Sequence, residues 1–233
     1  MQEVLEINGI KVNVTLKDIK NTHLSVHPPD GRVTVSAPLD MDLEKLRFYL
    51  ISKIPWIKKK IKNITSQPRE NEKLYITQES HYFFGKRYLL KIVGNVEKSV
   101  KLSHSKIILH CPENSTVEEK EKIFYDFYRK ELKTEISRIL EKYKKEIGLF
   151  PTSVGIQKMK TKWGSYNEKS GRMLFNIELA KKSKELIEYV VVHEYAHQFE
   201  PTHGKIFISA MNKLLPNWEL RRKELNELPL KIF

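Results

Sequence analysis

An α+β fold is predicted, in which a β-rich N-terminal region with one helix (1–113) precedes a compact, helix-rich domain (114–233). Three observations predict it. Period-2 apolar alternation crowds the first half of the chain, helical periodicity dominates the second, and the two are segregated by region instead of alternating. At 233 residues the chain can hold one large domain or two small ones. With 40% hydrophobic and 30% charged residues it has an ordinary globular balance.

Four short strands open the chain: Val4–Ile7, Val12–Leu16, Leu24–Val26 and Val33–Ser36. Asn8-Gly9 is a hairpin signal, because both residues tolerate positive φ. Pro28-Pro29-Asp30-Gly31 is a turn between the third and fourth strands. A helix is expected from Asp40 to about Ile64, capped by Asp40 or Asp42. Its apolar stripe is Leu43, Leu46, Phe48, Leu50, Ile54, Ile57 and Ile61. Pro55 removes a helical donor there, so a kink or two helices is expected. Residues 65–80 form a polar connection. Tyr82–Val93 suggests a hairpin turning at Gly85, and Ser99–Leu102 with Lys106–His110 another, turning at 103–105.

A long helix is expected from Ser115 to Ile147. Ser115 or Thr116 caps it, Glu118 and Glu119 suit its positive end, and Gly148 supplies the C′ residue. Ser153–Met159, Trp163–Tyr166 and Met173–Ile177 are strand candidates, the last two joined by a Glu168–Gly171 turn. Ser183 caps the next helix. Pro216 divides a last pair, Lys205–Leu214 and Trp218–Leu228. No internal repeat or low-complexity tract is visible.

The net charge is +13. The basic clusters are Lys58-Lys59-Lys60 with Lys62, Lys158/Lys160/Lys162, Lys181-Lys182 with Lys184, and Arg221-Arg222-Lys223. They describe either a solvated lysine-rich surface or a DNA contact. No apolar run is long enough for a membrane span. The start lacks a signal-peptide pattern, and the lone Cys111 cannot form an internal disulfide, so a cytoplasmic location is expected. Oligomeric state is not legible.

The chemistry lies in Val191-Val192-His193-Glu194-Tyr195-Ala196-His197, followed by Glu200-Pro201-Thr202-His203. This is H-E-x-x-H with a further His. On a helix, His193 and His197 are one turn apart on one face and can share one Zn²⁺. Glu194 can then reach a zinc-activated water as general base. The apolar run before His193 would carry the ligands into a core, and Glu200-Pro201 is expected to end the helix. His203, with Gly204 giving backbone freedom, can fold back as third ligand. The alternatives are that His203 caps the next helix, or that Glu200 or Glu219 takes its place.

Trp163-Gly164-Ser165, Asn176-x-x-Leu179, Tyr189-Val-Val-x-His193-Glu-x-x-His197, His203-x-x-x-Phe207 and Leu215-Pro216 together resemble the YgjP-like metallopeptidases. These are relatives of the SprT/Spartan and WLM zinc peptidases, with a gluzincin-like active site. Val33–Pro38 and Trp56-Ile57 match the family's N-terminal pattern more weakly. The resemblance implies a compact zincin-like domain and hydrolysis of peptide or protein substrates. It implies zinc on His193, His197 and His203, with Glu194 as base. It places a strand near 163–177 along the cleft, open to an extended peptide, which makes Trp163, Gly164, Ser165 and Asn176 the candidate substrate-binding residues. The alternative for Trp163 is a core anchor, and for Asn176 a clamp that holds the cleft by bonding to backbone. The family has Cys where this chain has Tyr166. Metzincins have Gly where Glu200 stands, so that class is rejected.

The remaining readings are bland. Tyr195 should face away from the metal, and Tyr166 is a weak candidate for oxyanion donor. His23, His27, His81, His104 and His110 read as strand and turn residues. Two functional alternatives stay open: a nucleic-acid-associated protease acting on DNA-bound proteins, and a non-catalytic zinc-stabilised binding module.

Overall fold

The computed structural model describes residues 2–27, 30–66, 72–148, 150–160 and 162–227. It divides into two compact units, Met1–Glu70 and Asn71–Glu227.

In the first unit, β1 (Gln2–Ile7), β2 (Ile10–Lys17), β3 (His23–His27) and β4 (Arg32–Pro38) form a sheet of order β1-β2-β4-β3. Asn8 and Gly9 take φ of 50° and 75°, as the hairpin between β1 and β2 requires. Of the predicted Pro28–Gly31 turn, Pro28 and Pro29 lie outside the described residues. Val12, Val14, Val33, Val35 and Ala37 project from one face of the sheet. They bury against Leu46, Leu50, Ile54 and Ile57 of α1 (Leu43–Ser66). The Asp42 carboxylate accepts the Glu44 N–H at 3.0 Å. Helix α1 is one continuous helix through Pro55, not two. Pro55 sits on the exposed face, where water can bond the carbonyl it leaves free.

The second unit begins with β5 (Ser80–Phe83), β6 (Lys86–Gly94), β7 (Ser99–Ser103) and β8 (Lys106–Cys111), in order β5-β6-β8-β7. Part of the predicted 65–80 connection, 67–71, lies outside the described residues. Helix α2 (Val117–Ile147) comes next, with Thr116 and Glu119 forming a reciprocal capping box. Gly148 closes it at φ 82°.

The expected boundary at 113/114 differs from this division. The strands β5–β8 belong to the same unit as the helices after them, because their partners lie far downstream. Phe84 N–H bonds Ala180 O at 2.8 Å, Gly85 N–H bonds Lys181 O at 3.3 Å, and Tyr128 donates to the Tyr82 carbonyl.

Both units use one topology, two hairpins and then a helix. In each, the outer strand pairs are antiparallel and the middle pair is parallel. Pro38 ends β4 and Pro112 comes just after β8, each at the same interval before its helix cap, Asp42 or Thr116. This is a structural repeat. It is invisible as residue identity because only alternation and turn position are kept.

The rest of the unit carries β9 (Ser153–Gln157), β10 (Gly164–Asn167), β11 (Arg172–Asn176) and a 3-10 turn (Ile177–Lys181). Helices α3 (Lys184–Ala196), α4 (Lys205–Leu214) and α5 (Trp218–Glu227) complete it. The predicted end of the last helix, Leu228, lies outside the described residues. The small sheet has order β10-β11-β9, with β10 at its edge. No helix among the described residues is long and apolar enough to cross a membrane.

Candidate metal centre and cleft

Helix α3 buries Leu186, Ile187, Val190, Val191 and Val192, and so draws its C-terminal end into the core. Glu188 on its partly exposed side accepts from Lys142 Nζ of α2 and Arg221 Nη1 of α5, each at 2.6 Å. These bonds hold α2 and α5 to α3. Its regular turns end at Ala196, sooner than Glu200-Pro201. Gln198 N–H then bonds Tyr195 O at 3.2 Å and Phe199 N–H bonds Ala196 O at 2.9 Å, a tightened last turn.

That turn brings His203 back over the helix. Nitrogens of His193, His197 and His203 lie within 4.8 Å of one another, and among the described residues no other such cluster exists. His193 Nε2 and His203 Nε2 stand 3.1 Å apart. Nitrogens on a tetrahedral zinc with bonds of about 2.1 Å stand roughly 3.4 Å apart. His197 Nδ1 donates to the Glu200 carbonyl at 3.1 Å, leaving its Nε2 lone pair free. Burial pushes the His193 pKa down to about 3, helped by His197, His203 and Arg222, and burial lowers His197 as well. Neutral imidazoles are the metal-binding form. The donor set therefore fits zinc. Phe207, buried, packs against all three rings, with centroids 4.7–5.0 Å away.

Glu200 is occupied elsewhere. Its Oε2 accepts the Phe207 N–H at 2.9 Å and its Oε1 accepts from Thr202 Oγ1 at 3.1 Å, so it caps α4 and braces the His203 loop. A β-carbon on Gly204 would stand 2.1 Å from Glu200 Oε1. Gly204 is thus required by space. Its φ of −79° calls for no special freedom, contrary to the sequence expectation. Glu219 is exposed on α5 and outside the histidine cluster.

Glu194 is 7% exposed and faces the edge strand. A β-carbon on Gly164 would meet its Cγ at 2.7 Å. Burial pushes the Glu194 pKa up to about 7, against the opposing Lys162 charge and a hydrogen bond from the Tyr166 backbone. Such a carboxyl is poised to exchange protons near neutrality. Tyr195, expected to face away from the metal, is fully buried and does not line the cleft.

The cleft has a volume of about 490 Å³. Trp163, Gly164, Ser165 and Tyr166 form one wall, and Tyr189, His193, Arg222 and Leu225 lie among its other lining. Asn176, grouped with substrate contacts in the sequence, does not line it and is 5% exposed. Its Nδ2 donates to Met159 O at 2.8 Å and Lys162 O at 2.9 Å, and its Oδ1 accepts from Glu178 N–H at 3.2 Å. Asn176 therefore fixes the loop that leads into β10. Tyr189, part of the motif that carries the resemblance, and Arg222, part of a basic cluster, both line the cleft, a place the sequence reading assigned to neither. Tyr189 is one turn before His193, a spacing that could have found it.

The YgjP-like metallopeptidase domain matches residues 20–228 of this chain. No curated protein is similar enough to match. Among solved structures, the metallopeptidase zymogen abylysin of Pyrococcus abyssi is 20% identical, with a TM-score of 0.36 over 41% of this chain and 99% of that one. The zymogen jannalysin of Methanocaldococcus jannaschii is 20% identical, with a TM-score of 0.34 over 39% and 95%.

Proposed function

This chain belongs to the YgjP-like metallopeptidase family, and on that premise we propose that it is a zinc-dependent peptidase with Glu194 as general base. The observation that carries the reading is the three-imidazole cluster sharing one cleft with a buried carboxylate. Zinc held by His193, His197 and His203 would acidify water and polarise the scissile carbonyl. Glu194 accepts the proton of the attacking water and returns it to the leaving amine. Edge strand β10 receives the substrate: its outer side has no strand neighbour among the described residues, so an extended peptide can add to it. Trp163, Gly164 and Ser165 lie beside that peptide, and Asn176 holds their loop.

A non-catalytic zinc module has less support, because burying the Glu194 carboxylate opposes stability and serves no structural site. The nucleic-acid-associated reading also has less support. Lys158, Lys181, Lys184 and Arg221, members of the basic clusters, are paired with Glu121, Glu178, Glu135 and Glu188. A buried, free Cys111 accords with a cytoplasmic setting.

The test is digestion of denatured casein by zinc-loaded protein, with chelated protein and Glu194→Gln as controls. Cleavage is expected from the first alone. Equal cleavage by all three would refute the reading.

A further inference from the structure

Helix α5 is seated by Trp218 and Leu225, both buried, and by Arg221, whose Nη1 donates to Glu188 Oε2 at 2.6 Å and Glu185 O at 3.1 Å. The next residue has no part in that anchoring. Arg222 is exposed, lines the cleft beside Tyr189 and His193, and forms no ion pair among the described residues. Lys162 is a second cation lining the cleft. The acids lining it are Glu168 and Glu194, and Glu194 is buried against β10. An unpaired guanidinium in a concave, partly apolar site is suited to a carboxylate, which it can bind through two parallel hydrogen bonds. A peptide laid along β10 supplies that carboxylate close to the bond being cut.

We propose that Arg222 is a specificity-determining residue that binds a substrate carboxylate next to the scissile bond, and that the cleft thereby favours acidic peptides. This rests on the peptidase reading of the same site. The carboxylate is an Asp or Glu side chain or a peptide's free C-terminus, and the two sources separate by experiment.

Binding is measured on zinc-loaded Glu194→Gln protein by fluorescence anisotropy. The probes are short labelled polyalanine peptides, C-terminally amidated, with one central Glu, Gln or Lys, and an all-alanine peptide with a free C-terminus. The Glu peptide is expected to bind about tenfold tighter than the Gln peptide, the usual scale of a charged hydrogen bond. Arg222→Glu should reverse the order of Glu and Lys peptides, and Arg222→Lys should keep it. If only the free-acid alanine peptide responds to Arg222, the carboxylate is the C-terminal one. Equal affinity for all probes, or an order that Arg222→Glu leaves unchanged, overturns the proposal. Wild type that cleaves casein while the order ignores Arg222 sinks this inference alone. Arg222-dependent binding by a protein that cleaves nothing sinks the peptidase reading and leaves Arg222 as a carboxylate-binding residue of the cleft.

Discussion

The Cγ of Glu194 lies 2.7 Å from where a β-carbon on Gly164 would stand, and its Oε1 lies 2.8 Å away. The glycine of Trp163-Gly164-Ser165 is therefore the space in which the carboxylate rests. Gly164→Ala must push Glu194 aside, and a displacement near 1 Å at a reacting group reduces rate by about a hundredfold. The expected result is a fall in kcat of that order with zinc content unchanged. Steady-state kinetics with metal analysis checks it. Wild-type kcat would show that Glu194 does not need this position.

Burial of Glu194 also predicts a pH-dependent stability. Its folded pKa, about 7, lies above the ordinary 4.5. The protonated form thus favours folding. The stability tied to this group is full below pH 4.5 and is lost as pH rises through 7. At about 1.4 kcal/mol per pH unit, the whole effect is about 3 kcal/mol. Zinc-free Glu194→Gln should match zinc-free wild type near pH 4.5 and exceed it by about 3 kcal/mol above pH 7. Urea unfolding across that range measures the gap. Parallel curves would mean the carboxyl is not buried as described.

Glu200 and Gly204 predict a non-additive pair. The Glu200 carboxylate caps α4 at the Phe207 N–H, a bond worth about 1 kcal/mol. Glu200→Ala removes the cap, and Gly204→Ala expels the same carboxylate by collision. The double variant should then be no less stable than the worse single one. Additive losses in thermal unfolding would separate the two residues' roles.

The local parts of this fold are legible in the sequence because their physics is local. Asn8-Gly9 does make its turn, and Thr116 does cap α2. What is not legible depends on partners distant in the chain. The strands β5–β8 join the second unit through Ala180, Lys181 and Tyr128. Asn176 becomes a loop clamp only once Met159 and Lys162 surround it. Arg222 reaches the cleft because Trp218, Leu225 and Arg221 together seat α5 against residues distant in the chain. In the site, the H-E-x-x-H spacing proposes the cluster, but the Glu200 brace emerges only with α4 in place.

His203 yields the last prediction. It is the exposed member of the cluster and sits on the loop before α4, whereas His193 and His197 are half-buried at the end of α3. Continued as a helix, the chain would carry a residue six past His197 to the far side. The tight turn after Ala196 and the Glu200 brace return it to 3.1 Å from His193. If His203 is a ligand, zinc must stabilise the fold less without it. Bound metal stabilises by about 4 kcal/mol at a thousandfold excess over Kd, and each tenfold loss of affinity removes about 1.4 kcal/mol. Chelation should lower the Tm of wild type clearly, and that drop should shrink in His203→Ala and persist in Glu219→Ala, whose side chain is exposed on α5. The same thermal scans, with and without chelator, decide it. A His203→Ala protein that keeps the full zinc-dependent rise in Tm would assign the third ligand elsewhere, and leave Glu194 and the cleft to stand without it.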